Sequence, residues 1–347
     1  MVSFPREIVL GIAECLDTKS LFKLMMVNKQ LYELITQHQR SVSLRLVSDF
    51  VAPPVGNVFS SEVFMRRVIP HGTFAMALEM EKRNAHIEAV LDSDFFTHAI
   101  PGRLESLTPE QEKRFRVLTK KAIAQCDCVA DIAANFPCHP IAEMWYGRLK
   151  GPYFEPRDLP LGFRIRDPYS NIRARQSQRE YLFTLSKEDI AMIYFVLTTL
   201  SWGFYLDNFT LANADTTFPE RQVIFKECVL RHGSWFAWGH IRGDDPWEMM
   251  TEQMMRLGWA ELVSFELGGE NAPASLHSTL AERFDDLFMP TDQSDPDNVM
   301  QSQVNILNKT VKDLVTGVSD EKPAEKKPVE DEVVEEVLEG LLEQIEE

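Results

Sequence analysis

Cysteine is scarce in this sequence, and basic charge is scarcer than acidic. The five cysteines (Cys15, Cys126, Cys128, Cys138 and Cys228) are odd in number and too scattered to make a disulfide framework in a chain of 347 residues. That usage points to a reducing compartment, cytoplasm or nucleus. Lys and Arg number 36 against 53 Asp and Glu, a net charge of −17, which argues against nucleic acid or an anionic membrane surface as a partner. Long apolar runs are lacking too. The longest uncharged stretch, 190–206, has 17 residues, includes Thr198, Thr199 and Ser201, and is flanked by Asp189 and Asp207 rather than by basic anchors. It reads as a buried core helix rather than a membrane span. Arg6 and Glu7 arrive before any long apolar run, so no secretory leader is expected. No repeat of 20–50 residues recurs, against leucine-rich, propeller and ankyrin arrays. Gly-rich phosphate loops and the His-Glu-x-x-His and Gly-x-Ser-x-Gly strings are missing as well.

Core material is plentiful: 44% of residues are hydrophobic, including 22 Phe and 6 Trp. Most of the chain should therefore fold into a globular body. The signals along it are helical. Phe4, Ile8, Ile12 and Leu16 recur every four residues, with Pro5 suited to a first helical turn. After Asp17-Thr18 comes a second run (Leu21, Leu24, Met25, Val27), and after Asn28 a third (Leu31, Leu34, Ile35). Pro53-Pro54-Val55-Gly56 reads as a boundary. Thr108-Pro109-Glu110-Gln111 combines an N-cap, a first-turn Pro and a third-position Gln, opening a helix expected to reach about Ala134. Ser186 opens the apolar helix, Pro219 and Gly233 bracket another, and Asp245-Pro246 and Gly258 one more. Residues 150–180, with four Pro and two Gly, read as a long irregular excursion and candidate binding loop.

The run Phe4-Pro5-Arg6-Glu7-Ile8, continued by Ile12, Leu16-Asp17, Ser20-Leu21, Leu24, Val27-Asn28-Lys29 and Leu31-Tyr32, resembles an F-box, over roughly residues 3–40. Phe4 stands where that family usually has Leu, Asp17 where Pro is common and Tyr32 where Trp is frequent. Phe and Tyr keep the apolar bulk, and Asp17 is a good N-cap type. Twelve large apolar side chains also crowd about 40 residues, more than three short helices can bury against one another. The resemblance implies that the surplus meets the S-phase-kinase-associated adaptor of a cullin–RING (SCF-type) ubiquitin ligase. Phe4, Pro5, Ile8, Ile12, Leu16, Leu21, Leu24, Val27 and Tyr32 would be the adaptor-binding set. Around Arg231–His240 the body resembles fungal-type F-box proteins.

Other motifs have plainer readings. Arg231-His232-Gly233 resembles the signature of histidine phosphatases, whose His carries phosphate. That enzyme reading needs Arg231 and His232 at the end of a strand in a parallel sheet. The helical spacing of Val223, Ile224, Cys228 and Val229 instead makes Gly233 a helix C-cap, with Arg231 and His232 complementing the helix dipole. Cys126 and Cys128 lie two residues apart on a helix and point to different faces, so with Cys138 and His139 they read as free side chains rather than zinc ligands. No metal and no cofactor is expected, and no catalytic residue.

The C-terminal stretch differs from the rest. Residues 320–347 hold 12 acidic and 3 basic side chains, a net of −9. Within it Val329, Val333, Val337, Leu341 and Ile345 recur every four residues, flanked by Val334, Leu338 and Leu342. A helix there would be marginal alone and would need a basic, partly apolar groove, on a partner or on this protein's own body. The expected architecture is mainly α: a three-helix F-box in 1–50, a helical substrate-recruiting body in 57–318, and a disordered linker with an acidic amphipathic tail in 319–347. The expected role is a substrate receptor working by proximity. A scaffold with no ubiquitin role is the alternative from another class.

Overall fold

The computed structural model describes residues 5–61, 67–100, 107–136, 172–208, 218–244, 247–252, 254–256, 258, 275–289 and 296–317. The acidic tail and most of the 150–180 excursion lie outside these residues. The fold is mainly α, as the sequence leads one to expect.

Four short helices open the chain: α1 (Arg6–Cys15), α2 (Thr18–Val27), α3 (Lys29–Gln37) and α4 (Gln39–Ser48). Single polar residues punctuate them. The Asp17 carboxylate accepts the Ser20 N–H at 2.7 Å, and this bond, with that from the Ser20 hydroxyl, holds its pKa below the usual carboxylate value. Asn28 adopts an extended backbone that ends α2, and its side chain accepts the Leu31 N–H at 2.8 Å to start α3. The fourth helix is an addition to the expected three. His38 alone separates it from α3, too short a break to stand out in the sequence.

Beyond the Pro-Pro-Val-Gly boundary a two-residue antiparallel pair forms, β1 (Val58–Phe59) with β2 (Val68–Ile69), in the register Val58↔Ile69 and Phe59↔Val68. The body then comprises α5 (Phe74–Leu91), α6 (Asp94–Thr97), α7 (Pro109–Ile132) and, after position 171, α8 (Ile172–Thr184). There follow α9 (Lys187–Asp207), α10 (Phe218–His232), α11 (Ser234–Arg242), α12 (Leu276–Phe288) and α13 (Pro296–Thr316). Thr108 and Gln111 form the reciprocal capping box of α7, and Ser186 caps α9 through the Asp189 N–H at 3.1 Å. The α7 helix ends at Ile132, passing into a 3-10 turn over Ala133–Asn135. The irregular excursion expected for 150–180 is corrected at its end: from 172 onward the chain is helical.

The apolar α9 is the inner post of the body. It packs against α6, α7, α10, α12 and α13, and its most apolar 18-residue window is 67% buried. That enclosure is how a core helix this apolar comes to be covered by protein. Its aromatics interlock with their neighbours: Phe204 stacks on Phe225 at 4.8 Å and on Phe218 at 5.3 Å, and Tyr194 stacks on Phe284 at 4.6 Å. Most of the aromatics in 202–247 are core, with Trp235, Phe236 and Trp247 buried, while Trp202 is exposed.

Candidate functional site

The N-terminal module has a small core of Ala13, Leu21, Met25, Ile35 and Val42, closed by Phe74 from α5. Phe22 meets Phe74 edge-on at 5.9 Å. On its far side, α4 packs along α5, where Val47 joins Val58, Met76, Ala77 and Met80 in a second small cluster. The module is thus seated on the body through α4, while α1 and the end of α2 face away from this seam.

The expected adaptor-binding residues divide into three groups. Pro5, Ile8, Ile12, Val27 and Tyr32 are exposed, with Ile8 at 50%, Val27 at 70% and Tyr32 at 53%. Pro5 also starts α1, its carbonyl oxygen accepting the N–H of Ile8 at 3.1 Å and of Val9 at 3.3 Å. Leu16 and Leu24 are half-buried against the module's core. Leu21 is fully buried and presents no surface, because the turn that exposes Val27 directs Leu21 and Met25 inward. Phe4 lies outside the described residues. One residue was missed: Met26 is 85% exposed, and its place beside Val27 in an apolar run is the signal that marks it. Of the sixteen exposed large apolar side chains among the described residues, five (Ile8, Ile12, Met26, Val27, Tyr32) fall within 25 consecutive positions.

The buried polar groups of the body form a different kind of site. Arg83 of α5 donates to both oxygens of Asp131 on α7, at 2.5 and 2.8 Å, and to the Phe59 carbonyl oxygen at 2.7 Å. Asp131 in turn accepts the Phe59 N–H at 3.0 Å. Burial works to lower the Arg83 pKa, but the Asp131 charge and hydrogen bonds outweigh it and hold it above its ordinary value. Asn57 and Asn135 close the strap, with the Asn57 N–H donating to the Asn135 side chain at 2.8 Å and the Asn135 amide donating back to the Asn57 carbonyl oxygen at 3.2 Å. One turn before Asp131, the Asp127 carboxylate accepts the Ser234 N–H at 2.8 Å and its hydroxyl at 2.8 Å. Burial pushes Asp127 up to about 6, although Arg83 pulls the other way. These bonds fix where α5, α7, α11 and the β1 strap meet. They hold elements in place, and Arg83, Asp127 and Asp131 also line a small pocket with Ala52, Met80 and Cys128.

Arg231 and His232 sit in the last turn of α10, 3% and 1% exposed. The strand-end geometry required of a histidine phosphatase is not there: the strands among the described residues are the antiparallel pair before α5. Arg231 and His232 both lie in the last turn, as the dipole reading expects, and Arg231 has a closer partner besides. The Arg231 Nε donates to Glu227 at 2.6 Å inside the body, and Glu227 further accepts the N–H groups of His277 at 2.7 Å and Leu276 at 3.2 Å, anchoring the start of α12. Burial acts to raise the Glu227 pKa, but the charges of Arg231 and Arg175 and the His277 N–H hold it below the usual range. Gly233 does follow α10 in the left-handed region (φ 66°), its N–H donating to the Val229 carbonyl oxygen at 2.7 Å. Cys126 and Cys228 are buried free thiols and Cys128 is half-buried. Burial raises the Cys126 thiol and pushes that of Cys128 to about 12, which leaves both protonated and unreactive. Cys138 and His139 lie outside the described residues. No group of three metal-ligating side chains occurs among the described residues.

Compared with known proteins, residues 1–43 match the family model of the F-box domain. Neither the curated proteins nor the solved structures gave a match. The matched span covers α1 to α3 and the start of α4, the part of the chain that carries the exposed apolar cluster. F-box domains are adaptor-binding components of SCF-type ubiquitin ligases, and the proteins that carry them are typically substrate receptors rather than enzymes. Residues 1–43 are an F-box domain, and the chain carries it at its N-terminal end.

Proposed function

We propose that this chain is the substrate receptor of an SCF-type cullin–RING ubiquitin ligase, with no chemistry of its own. The S-phase-kinase-associated adaptor binds Phe4, Pro5, Ile8, Ile12, Leu16, Leu24, Met26, Val27 and Tyr32. The helical body, 57–318, recruits a protein substrate, in cytoplasm or nucleus. The observation that carries this reading is the exposed apolar cluster of the F-box, on a module whose own core is already closed without it. An apolar surface of this kind is stabilised by burial against a partner at about 25 cal/mol per Å². The mechanism is proximity: the seam at α4 and α5 ties the adaptor-binding end to the substrate-binding end, so a bound substrate is held near the charged conjugating enzyme.

Co-purification of the full chain with the adaptor tests it. Ile8→Asp with Val27→Asp should abolish the complex and leave the far-UV helical signal and the thermal midpoint unchanged. Retention of the adaptor by the double variant at wild-type strength would overturn the assignment of these contacts. Failure of the wild-type chain to bind would favour the scaffold instead.

A further inference from the structure

The described chain ends at Gly317, beside a cation. α13 packs against α7, and Gly317 closes it in the left-handed region (φ 74°), its N–H donating to the Asp313 carbonyl oxygen at 2.9 Å. That conformation turns the chain off the helix axis. It does so against Arg114: a Cβ added at Gly317 would stand 2.9 Å from the Arg114 Nη1. The sequence that follows is the most acidic of the protein, with a net charge of −9 over 320–347.

Arg114 belongs to a basic stretch of α7. Residues 113–121 hold Lys113, Arg114, Arg116, Lys120 and Lys121 and no acidic residue. Three of the five are already compensated. Arg116 pairs with Asp92 at 2.7 Å and with Glu88, Lys120 pairs with Glu88 at 2.6 Å, and Lys121 pairs with Asp189 at 2.7 Å. Lys113 and Arg114 are exposed and make no ion pair among the described residues. On the same face, one turn along, Val117 is 53% exposed. This is a small surface with two unpaired cations and an apolar centre, bordered by Glu110 and Glu112 at the helix start, next to the point where the acidic segment leaves the body.

We propose that residues 329–347 of this same chain dock in cis on the Lys113–Arg114–Val117 face. Tail carboxylates pair with Lys113 and Arg114, and the apolar stripe of Val333, Val337 and Leu341 lies on Val117. Reach is no obstacle. Residues 318–328 can extend about 3.3–3.6 Å each, against a distance of about one helical turn, ~5 Å, from Arg114 to Val117. The tether also keeps the tail at an effective concentration of order millimolar, so an intrinsic affinity of order millimolar is enough to populate the docked state. Charge selects the location. The exposed Trp202 and Leu206 form another apolar patch on the body, but the chain around them has no Lys or Arg between 188 and 220 to pair with the tail, and Asp207 adjoins them. The inference does not depend on what the F-box binds.

Zero-length carbodiimide coupling tests it, since it joins a lysine amine to a carboxylate in contact with it, with loss of water. It is applied to the intact protein, prepared as an equal mixture of light and ¹⁵N-labelled chains. The expected product is an amide between Lys113 and a carboxylate of 330–343, within one chain, that disappears on raising salt to about 0.5 M. Arg114→Glu with Val117→Ser, both at exposed positions, should reduce that product several-fold while the near-UV spectrum of the body stays the same. Products joining light to heavy chains would place the tail on a second copy. Coupling to other lysines such as Lys23, or no coupling of the tail at all, would overturn the proposal equally.

Discussion

The F-box and the body distribute polarity in opposite ways. The F-box leaves Ile8, Ile12, Met26, Val27 and Tyr32 in contact with solvent and closes its core with one residue, Phe74, borrowed from α5. The body draws Arg83, Asp127, Asp131, Glu227 and Arg231 inside, each at most 7% exposed. Apolar burial is non-directional, so a module that must bind a partner can carry its apolar surface outside without losing its fold. A buried ion pair is directional, and it is costly once one partner is missing. The body places such pairs where elements meet: Arg83–Asp131 at the β1 strap, Glu227–Arg231 at the start of α12. The difference teaches that the charges inside set the geometry, while the apolar groups outside are not needed for it.

The strongest way to break this contrast is to remove a buried charge. Arg83→Met leaves Asp131 and Glu79 buried without their cation and the Phe59 carbonyl oxygen without its donor. The expected loss is about 3–5 kcal/mol by urea unfolding. Replacement without loss would show that the pair is a surface ornament and would sink the account of the seam. Gly233→Ala should come next. Its Cβ would meet the Asp127 Oδ1 at 2.0 Å in a left-handed backbone, straining the turn and displacing Asp127 from Ser234. The cost should be roughly 2–4 kcal/mol, from the strain and a disturbed buried hydrogen bond together.

Acidification probes the same interior more gently. His86, His240 and His277 are held near a pKa of about 4, chiefly by burial, with Arg83, Arg221 and Lys226 as respective cationic neighbours. The unfolded chain therefore takes up these protons first, and stability is lost as pH falls from the ordinary 6.5 toward 4. Asp127 acts oppositely. Its folded value of about 6 lies above the ordinary 3.8, so the folded state protonates first and gains on acidification over that window. Three groups outweigh one, and the net expectation is a loss on the order of 1–3 kcal/mol between pH about 7 and about 6. Asp127→Asn keeps an acceptor for Ser234 but removes the opposing gain, so its stability should fall more steeply with acid. A slope unchanged in the variant would mean that Asp127 is ionised throughout.

What the sequence made legible is local. Asp17, Asn28, Thr108 with Gln111, and Ser186 announce helix starts because cap and capped N–H lie within three residues. The apolar periodicity of the first 35 residues likewise marks the F-box, and the expected surplus of apolar side chains is visible at Ile8, Val27 and Tyr32. Leu21 was not separable from these, since a helical repeat gives the spacing of apolar positions but not which of them a neighbouring helix covers. The Arg83–Asp131 pair was not legible because its partners lie 48 positions apart and meet only once α5 crosses α7. Arg231 looked like only a C-terminal cation for the same reason: the packing of α12 that buries it is decided at positions 275–277, far along the chain. Residues 172–184 looked irregular because the Pro and Gly upstream mask a helix that begins after them.

The smallest effect on stability should come from the residues with the largest assigned role. Ile12, Met26 and Val27 are 46%, 85% and 70% exposed, so replacing each by Ser removes little area from the fold. Unfolding free energy should stay within about 0.5 kcal/mol of the parent for Met26→Ser and Val27→Ser. Ile12→Ser should be slightly worse, because Ile12 is the least exposed of the three and loses the most buried apolar area. Leu21→Ala, in the same module but with no surface, should cost about 2–5 kcal/mol. The comparison is sharpest within α2, where Leu21 and Val27 are six residues apart on one helix. A loss above about 1 kcal/mol for Val27→Ser would mean that Val27 packs against the protein's own chain. Its exposure would then be no mark of a partner, and the F-box contact surface would have to be redrawn around Pro5, Ile8 and Tyr32.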